Sequence, residues 1–428
     1  MPKRKKGSRD LTFIREYLEE FLSGIVRGSD AMSADLPVLW IRRERYLRLS
    51  HDEAIRFRRL LRDAQRKLTP LDDLSEKALD SALKDAIFAV VDTTAPEEAE
   101  HEGRLDAAIA DLRSFLEAEP QSYECWIEIT GPEIHSLPAG FGRTTFCVVG
   151  PLHIDLLRDI VRTKHQVQVS EKLENLDERE SAQLLGRVIA IQCVEARDAG
   201  AARSLAERDV QQTLDCLNFV GELIPYNRGH LRMAPGRTAG GSGAQVSIAK
   251  DGSYTTDSAA RHPWTYSFDK LREVAGPGAD VIRRIDELLA QHAPNEVENS
   301  LIRAVRWAGR AAESESFEDK FLFSVVALES LLLSGSDREL SFRLSLLVAR
   351  TLGRDAVSRQ KISRDVRRLY GLRSKLVHDG RFEVTEDDQD LAMTIAIETI
   401  AQLLTDENVQ TFTTGQQLQE HFNRLILE

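Results

Sequence analysis

The sequence predicts an α+β protein that is mostly helical, with a mixed α/β central region and a helical bundle at its C-terminal end. Three observations carry this reading. Apolar residues recur at helical spacing through much of residues 10 to 120 and again at 322–332, 359–378 and 413–426. Longer β-branched and aromatic runs cluster between residues 121 and 275. Gly276-Pro-Gly278 and Pro294-Asn295 then punctuate the passage into the last part. The expected division is residues 1–120, mostly helical; 121–290, a mixed α/β sensor or regulatory domain; and 296–428, a helical domain.

Taken in order, Leu11 to Ile25 and Ala54 to Leu68 have helical spacing, with Leu36-Pro-Val-Leu-Trp-Ile41 between them as a short strand or buried turn. Pro70-Leu-Asp-Asp73 opens a helix that runs to about Val91, with Asp72 or Asp73 placed for its first turn. Pro96 to Glu102 is an acidic connector or helix start. Arg104 to Glu117 is helical, and Glu119-Pro120 ends it. Tyr123 to Thr130, Thr144 to Val149 and Arg187 to Val194 read as strands, and Ala201 to Phe219 as a long helix. Gln245 to Ala249 and Ser253 to Thr256 flank Lys-Asp-Gly252 as a hairpin. A short helix, Ala279 to His292, leads to the last domain.

Composition narrows the function classes. The 428 residues suffice for two or three domains, and 42% hydrophobic with 29% charged residues describes an ordinary globular chain. No apolar run reaches the roughly 18–20 residues of a membrane span. The basic start, Met1 to Arg9, lacks the apolar segment of a signal peptide, so a cytoplasmic location is expected and no membrane partner. Cys125, Cys147, Cys193 and Cys216 form no C-x-x-C pair, and His135, His153 and His165 match no ligand spacing, so neither a metal nor another cofactor is expected. Gly236 to Gly243 lacks the Lys-Ser/Thr ending of a phosphate-binding loop and reads as a flexible loop.

A net charge of −12 argues against a protein that coats nucleic acid without specificity. Positive charge is nevertheless concentrated. Arg354 to Lys375 holds eight basic residues against Asp355 and Asp365, and Arg42 to Lys67 holds ten against four acidic ones. In the first of these runs Arg364, Arg367, Arg368 and Lys375 read either as a solvated helix face or as residues that guide a phosphate backbone. That run ends in Tyr370-Gly-Leu-Arg-Ser-Lys-Leu-Val-His-Asp-Gly380. If residues 359 to 378 are one helix, Ile362, Val366, Leu369, Leu376 and Val377 form an apolar stripe with Arg373 in its middle. A guanidinium there needs a buried partner, a ligand or an interface. His378 falls about 140° round the helix from Arg373, close to a C-terminal end where a cation is favoured. Spacing alone does not single out the pair, because Arg45 with His51 and Arg158 with His165 are separated almost as closely.

Context does. Residues 296 to 428 resemble the HEPN superfamily, in particular ApeA-like HEPN domains of bacterial anti-phage defence proteins. The resemblance rests on the Ala-rich Ser300 to Ala312, on Asp319 to Leu332, on the basic helix with Tyr370, Arg373, Ser374 and His378, and on a closing helix from Leu391 to Leu404. It implies a HEPN-type helical bundle and a metal-independent endoribonuclease in which Arg373 and His378 are catalytic. It also implies a homodimer or higher even oligomer, an RNA substrate, and an unknown phage or cellular trigger sensed by residues 1 to 290. Glu329 would hold the Arg373 side chain by a bidentate bond, with Tyr370, Ser374 and Lys375 in support. Many catalytic members carry Asn, Asp or His directly after the arginine, where this chain has Ser374. The alternative is a non-catalytic module of the same fold that dimerises and binds RNA or a protein partner. Leu322, Val325, Val326, Leu328, Leu331, Leu332 and Trp307 are expected in the core, and Thr413 to Ile426 as a last amphipathic helix.

Overall fold

A computed structural model describes residues 11–27, 38–42, 45–49, 51–68, 73–90, 99–130, 132–133, 139–152, 184–223, 234–235, 243–249, 254–259, 266–267, 274, 276–314, 316–333, 339–379 and 384–427. The basic start before residue 10, the Gly236 loop up to residue 242, His135, His153, His165 and the hairpin turn at 250–253 lie outside them. The described chain is mostly helical with a sheet in its middle, and so α+β. It forms two compact units, residues 1–123 with 194–205, and residues 124–193 with 206–428.

In the first unit, four helices α1 (Thr12–Arg27), α2 (His51–Leu68), α3 (Glu76–Val90) and α4 (Ala99–Glu117) bury a shared core that includes Ile14, Leu18, Phe57, Leu83, Ile87 and Leu116. The stretch read as a strand or buried turn is a strand, β1 (Val38–Arg42), paired antiparallel with β2 (Arg45–Leu49). The first turn of α3 is organised by Ser75, whose Oγ accepts from Ala78 N at 3.1 Å, and not by Asp73. Asp73 instead pairs with Arg197 at 3.1 Å. Asp198 accepts from Ser75 N at 2.8 Å, and from Gly200 N at 2.8 Å in the first turn of α5 (Ala199–Glu222).

The sheet has seven strands: β3 (Gln121–Thr130), β5 (Ala139–Phe141), β6 (Thr144–Val148), β7 (Val188–Ala196), β8 (Ala234–Pro235), β9 (Gly243–Ala249) and β10 (Tyr254–Ala259). Their order is β10-β9-β3-β7-β6-β5, with β8 on β3, and the hairpin read at 245–256 is β9–β10. Two short strands, β4 (Pro132–Glu133) and β11 (Tyr266–Ser267), pair separately and in parallel. In the second unit a buried polar chain links sheet to helix: Thr144 Oγ1 donates to Gln192 Oε1 at 2.9 Å and lies 3.1 Å from Thr213 Oγ1 on α5.

The C-terminal helices are α6 (Pro277–Ala290), α7 (Glu296–Glu313), α8 (Phe317–Leu332), α9 (Leu340–Leu352), α10 (Ala356–Asp379), α11 (Glu386–Thr405), α12 (Glu407–Thr411) and α13 (Gly415–Leu427). Local chemistry sets several starts. Asn295 and Glu298 form a capping box on α7, Ser316 caps α8, and Thr385 with Asp388 form a second box on α11. Helix α11 is the centre of the bundle, packed by α6, α7, α8 and α9, while α10 lies chiefly on α9. Ala392, Ala396, Ile400 and Leu404 of α11 meet a core that includes Phe321, Leu331, Leu347 and Phe422. Leu322, Val326 and Trp307 are only half-buried, so the spacing argument overstates the core by those three.

The expected division at 290–296 is not where packing divides, because α7 is locked to α5. Asp215 of α5 has no exposure, and its Oδ2 accepts from Arg306 Nε at 3.2 Å and Arg310 Nε at 3.1 Å. Between those arginines, a Cβ on Gly309 would stand 1.7 Å from the Asp215 carbonyl oxygen. Both groups are backbone-anchored, so Gly309→Ala must push two helices apart. It should lower unfolding free energy by about 3 kcal/mol or more, the upper end for overpacking, as read from urea denaturation.

Candidate functional site on the basic helix

Helix α10 carries nearly all of the candidate residues and presents them on separate faces. Val366 and Leu369 are buried at 2% and 3% exposure, and they orient the helix. The expected apolar stripe stops short, however: Ile362 and Leu376 are half-buried and Val377 is exposed, because the last turns run past the core.

Arg373 points at α8, where its Nη2 donates to Glu329 Oε2 at 3.0 Å, both side chains being less than a quarter exposed. The contact is single, not bidentate, since Arg373 Nε and Glu329 Oε1 are enclosed with no hydrogen-bond partner among the described residues. Burial raises the Glu329 carboxyl above its ordinary value, and Arg373 opposes that rise without cancelling it. The Tyr370 phenol is also raised, first by burial and then by the Glu329 charge, with Arg373 acting the other way. Arg373, Glu329 and Tyr370 are therefore one electrostatic group. This also removes an argument made from sequence: Arg373 has its partner inside the chain and does not need an interface to supply one.

The remaining candidates do not join that group. His378 is exposed in the last turn, about 140° round and about 7.5 Å along the helix from Arg373. By the same periodicity it shares a face with Arg364 and Arg367. Ser374 is half-buried and Lys375 exposed. Arg368 is engaged with Asp388 at the start of α11. Burial pushes the Asp388 carboxyl up, but Arg368 and the cap bonds from Thr385 outweigh it and hold the group below the usual range.

Arg364 and Arg367 line a groove of about 610 Å³ between α9 and α10, together with Arg350, Arg359, Gln360 and Ser363. Arg350 was missed in the sequence because α9 was not recognised as a helix. The signal was there in Leu344, Leu347 and Val348, with Gly353 as the stop. Among the described residues no group of three or more His, Cys, Asp or Glu is placed to hold a metal ion, and no helix is long and apolar enough to cross a membrane.

No protein-family model, curated protein or solved structure matches this chain.

The Glu329–Arg373 pair has a measurable pH signature. Because the folded chain holds the Glu329 proton more tightly than the unfolded chain does, this group's contribution to stability is fully present below about pH 4.5 and declines as pH rises through the raised value. Arg373 limits that decline. Arg373→Ala should therefore cost about 1–3 kcal/mol at neutral pH, with the gap to the unmodified protein narrowing near pH 4. Urea midpoints across that range measure it.

Proposed function

We propose that the chain is a metal-independent endoribonuclease of the HEPN type, acting on RNA in phage defence or stress, with residues 1 to 290 sensing the trigger or restraining the cut. The observation that carries this reading is the half-buried Arg373–Glu329 pair beside Tyr370, on the same helix as an exposed, arginine-flanked His378. In the proposed reaction the ribose 2′-oxygen loses its proton, attacks the adjacent phosphorus and expels the 5′-oxygen, which takes up a proton. The products are a 2′,3′-cyclic phosphate and a free 5′-hydroxyl. His378 carries the protons as general base and acid. Arg373, held by Glu329, faces the charge that builds on the phosphoryl oxygens. Arg373 and His378 look in different directions on one helix, so the reading requires a dimer in which two copies of α10 line one cleft.

That same geometry favours a second reading. An arginine satisfied within its own chain and a histidine on another face also suit a non-catalytic module that binds RNA or a protein partner.

One set of assays separates them. Under the first reading, cleavage persists in EDTA, leaves a 2′,3′-cyclic phosphate or 3′-phosphate, and is blocked by a 2′-deoxy substitution at the cut nucleotide. His378→Ala and Arg373→Ala should each lower the rate by about 10² or more, and Arg373→Lys nearly as much, because an ammonium lacks the planar fork. Cutting that needs a metal and leaves a 5′-phosphate would refute it. RNA binding without any cutting would leave the second reading standing.

A further inference from the structure

The second basic run of the sequence, Arg42 to Lys67, plays no part in the site on α10. Much of it falls on α2, whose apolar line of Phe57, Leu60, Ala64 and Leu68 is buried in the core of the first unit. Arg58, Arg59, Arg62 and Arg66 are all exposed. At 100° per residue they lie within an arc of about 100°, on the side of the helix opposite that buried line. From Arg58 to Arg66 the helix rises about 12 Å.

Elsewhere in this unit cationic side chains are answered by carboxylates. Arg15 pairs with Glu19 and Asp106, Arg56 with Glu20, Lys84 with Asp80, and Arg197 with Asp73. The stripe on α2 differs. Arg58, Arg59 and Arg62 are in no salt bridge among the described residues. Asp63 borders the stripe at ion-pair spacing from Arg59 and Arg66, yet it too forms no ion pair among the described residues. Arg62 donates its Nε to the Arg58 carbonyl oxygen at 3.3 Å, which orients the guanidinium and leaves its terminal nitrogens as donors. Lys67 is turned aside, its Nζ 4.3 Å from the centre of the Phe13 ring on α1. Like charges along one face repel one another, and a polyanion relieves that repulsion.

The surroundings of the stripe choose among polyanions. Phe57 is the only Phe, Tyr or Trp of α2, and it is buried. Single strands are held largely by stacking bases on aromatic side chains, which this face lacks. A lipid surface needs an apolar helix face free to insert, whereas that of α2 is already packed in the core. The major groove of B-form DNA, about 12 Å wide, admits an α-helix, while that of A-form RNA is deep and narrow.

We propose that the exposed face of α2 docks duplex DNA, seated in the major groove with Arg58, Arg59, Arg62 and Arg66 on the phosphates. Phosphate contacts carry no sequence information, so docking tolerates most sequences. The net charge of −12 repels DNA from the rest of the surface, which limits the affinity and confines docking to this face. The proposal goes beyond the ribonuclease reading and does not rest on it, because DNA lacks the 2′-hydroxyl that reaction uses.

Fluorescence anisotropy of a labelled DNA duplex of about 30 base pairs, titrated with the full chain at about 50 mM salt, tests it. Saturable binding at micromolar protein is expected. The logarithm of the binding constant should fall against that of salt with a slope of about −3, for three to four neutralised phosphates. Arg58→Gln and Arg62→Gln should each weaken binding about threefold or more and flatten the slope by about 1. Their combination should cost about 10-fold or more. Arg283→Gln, an exposed arginine of α6, should leave binding unchanged. The matching single strand, an RNA duplex of the same length, and phosphatidylserine–phosphatidylcholine vesicles should all bind more weakly. The proposal fails if no saturable binding appears up to about 100 µM protein, or if the slope is flat. Equal binding by the α2 variants and the unmodified chain would also overturn it, as would an equal loss in Arg283→Gln. So would single strand, RNA duplex or vesicles binding as tightly as the DNA duplex, each of which gives the face a different occupant.

Discussion

A fully buried carboxylate, that of Asp215, ties the central region of the second unit to its C-terminal helices. A carboxylate without exposure is tolerable only when it is paired and hydrogen-bonded. Asp215 has Arg306, Arg310 and Gln211, the last donating at 2.7 Å. The two arginines are one turn apart on α7, and Gly309 sits between them with nothing on its α-carbon to keep the helices apart. Burial still raises the carboxyl above its ordinary value, so the Gln211 amide and the two guanidiniums offset the desolvation only in part. Helix α7 in turn packs along α8, which carries Glu329, and Glu329 sets the direction of Arg373. The placement of the candidate site thus depends on a contact that spans some ninety residues of the chain.

Helix α10 shows how one charged helix is divided among neighbours. Its buried line, Val366 and Leu369, faces the bundle. Round from that line, Arg373 meets a carboxylate on α8, Arg368 meets one on α11, and Arg364 and Arg367 meet none and line the groove with α9. Read as a linear run these residues make one basic patch. In three dimensions they have three different electrostatic fates. The pairs with Glu329 and Asp388 are structural contacts as well as parts of a candidate site, whereas Arg359 and Arg367 are held by the neutral Gly353 carbonyl and Ser345 hydroxyl.

Much of this was legible in the sequence for local reasons. Helical period placed α8 and α10 within a few residues of their observed bounds, since an apolar stripe repeats whether or not its partner is known, while α7 and α11 were placed through the family resemblance. One misplaced charge was legible in the same way. Arg373 interrupts an apolar stripe and needs a partner, whereas Glu329, which spacing alone put on a helix edge, was named as that partner only through the family resemblance. What escaped was of two kinds. Helix α9 and the hairpin β1–β2 are short and follow basic or unclear stretches, where periodicity gives little signal. The start of α3 was assigned to aspartates, although Ser75 is the residue at the cap and Asp73 is taken by Arg197.

The sequence by itself determined the mostly helical α+β class, the order of its main elements, and which residues share a face on each helix. Those are properties of periodicity and local backbone chemistry, and they need no distant residue. Only the tertiary structure decided that α7 is joined to α5 through Asp215, that Arg373 is answered by one oxygen of Glu329, and that Arg350 and Arg359 complete a groove with Arg364 and Arg367. Each of these depends on which faces meet across long separations in the chain. Helix packing settles that choice through the fit of whole surfaces, and no single segment encodes it.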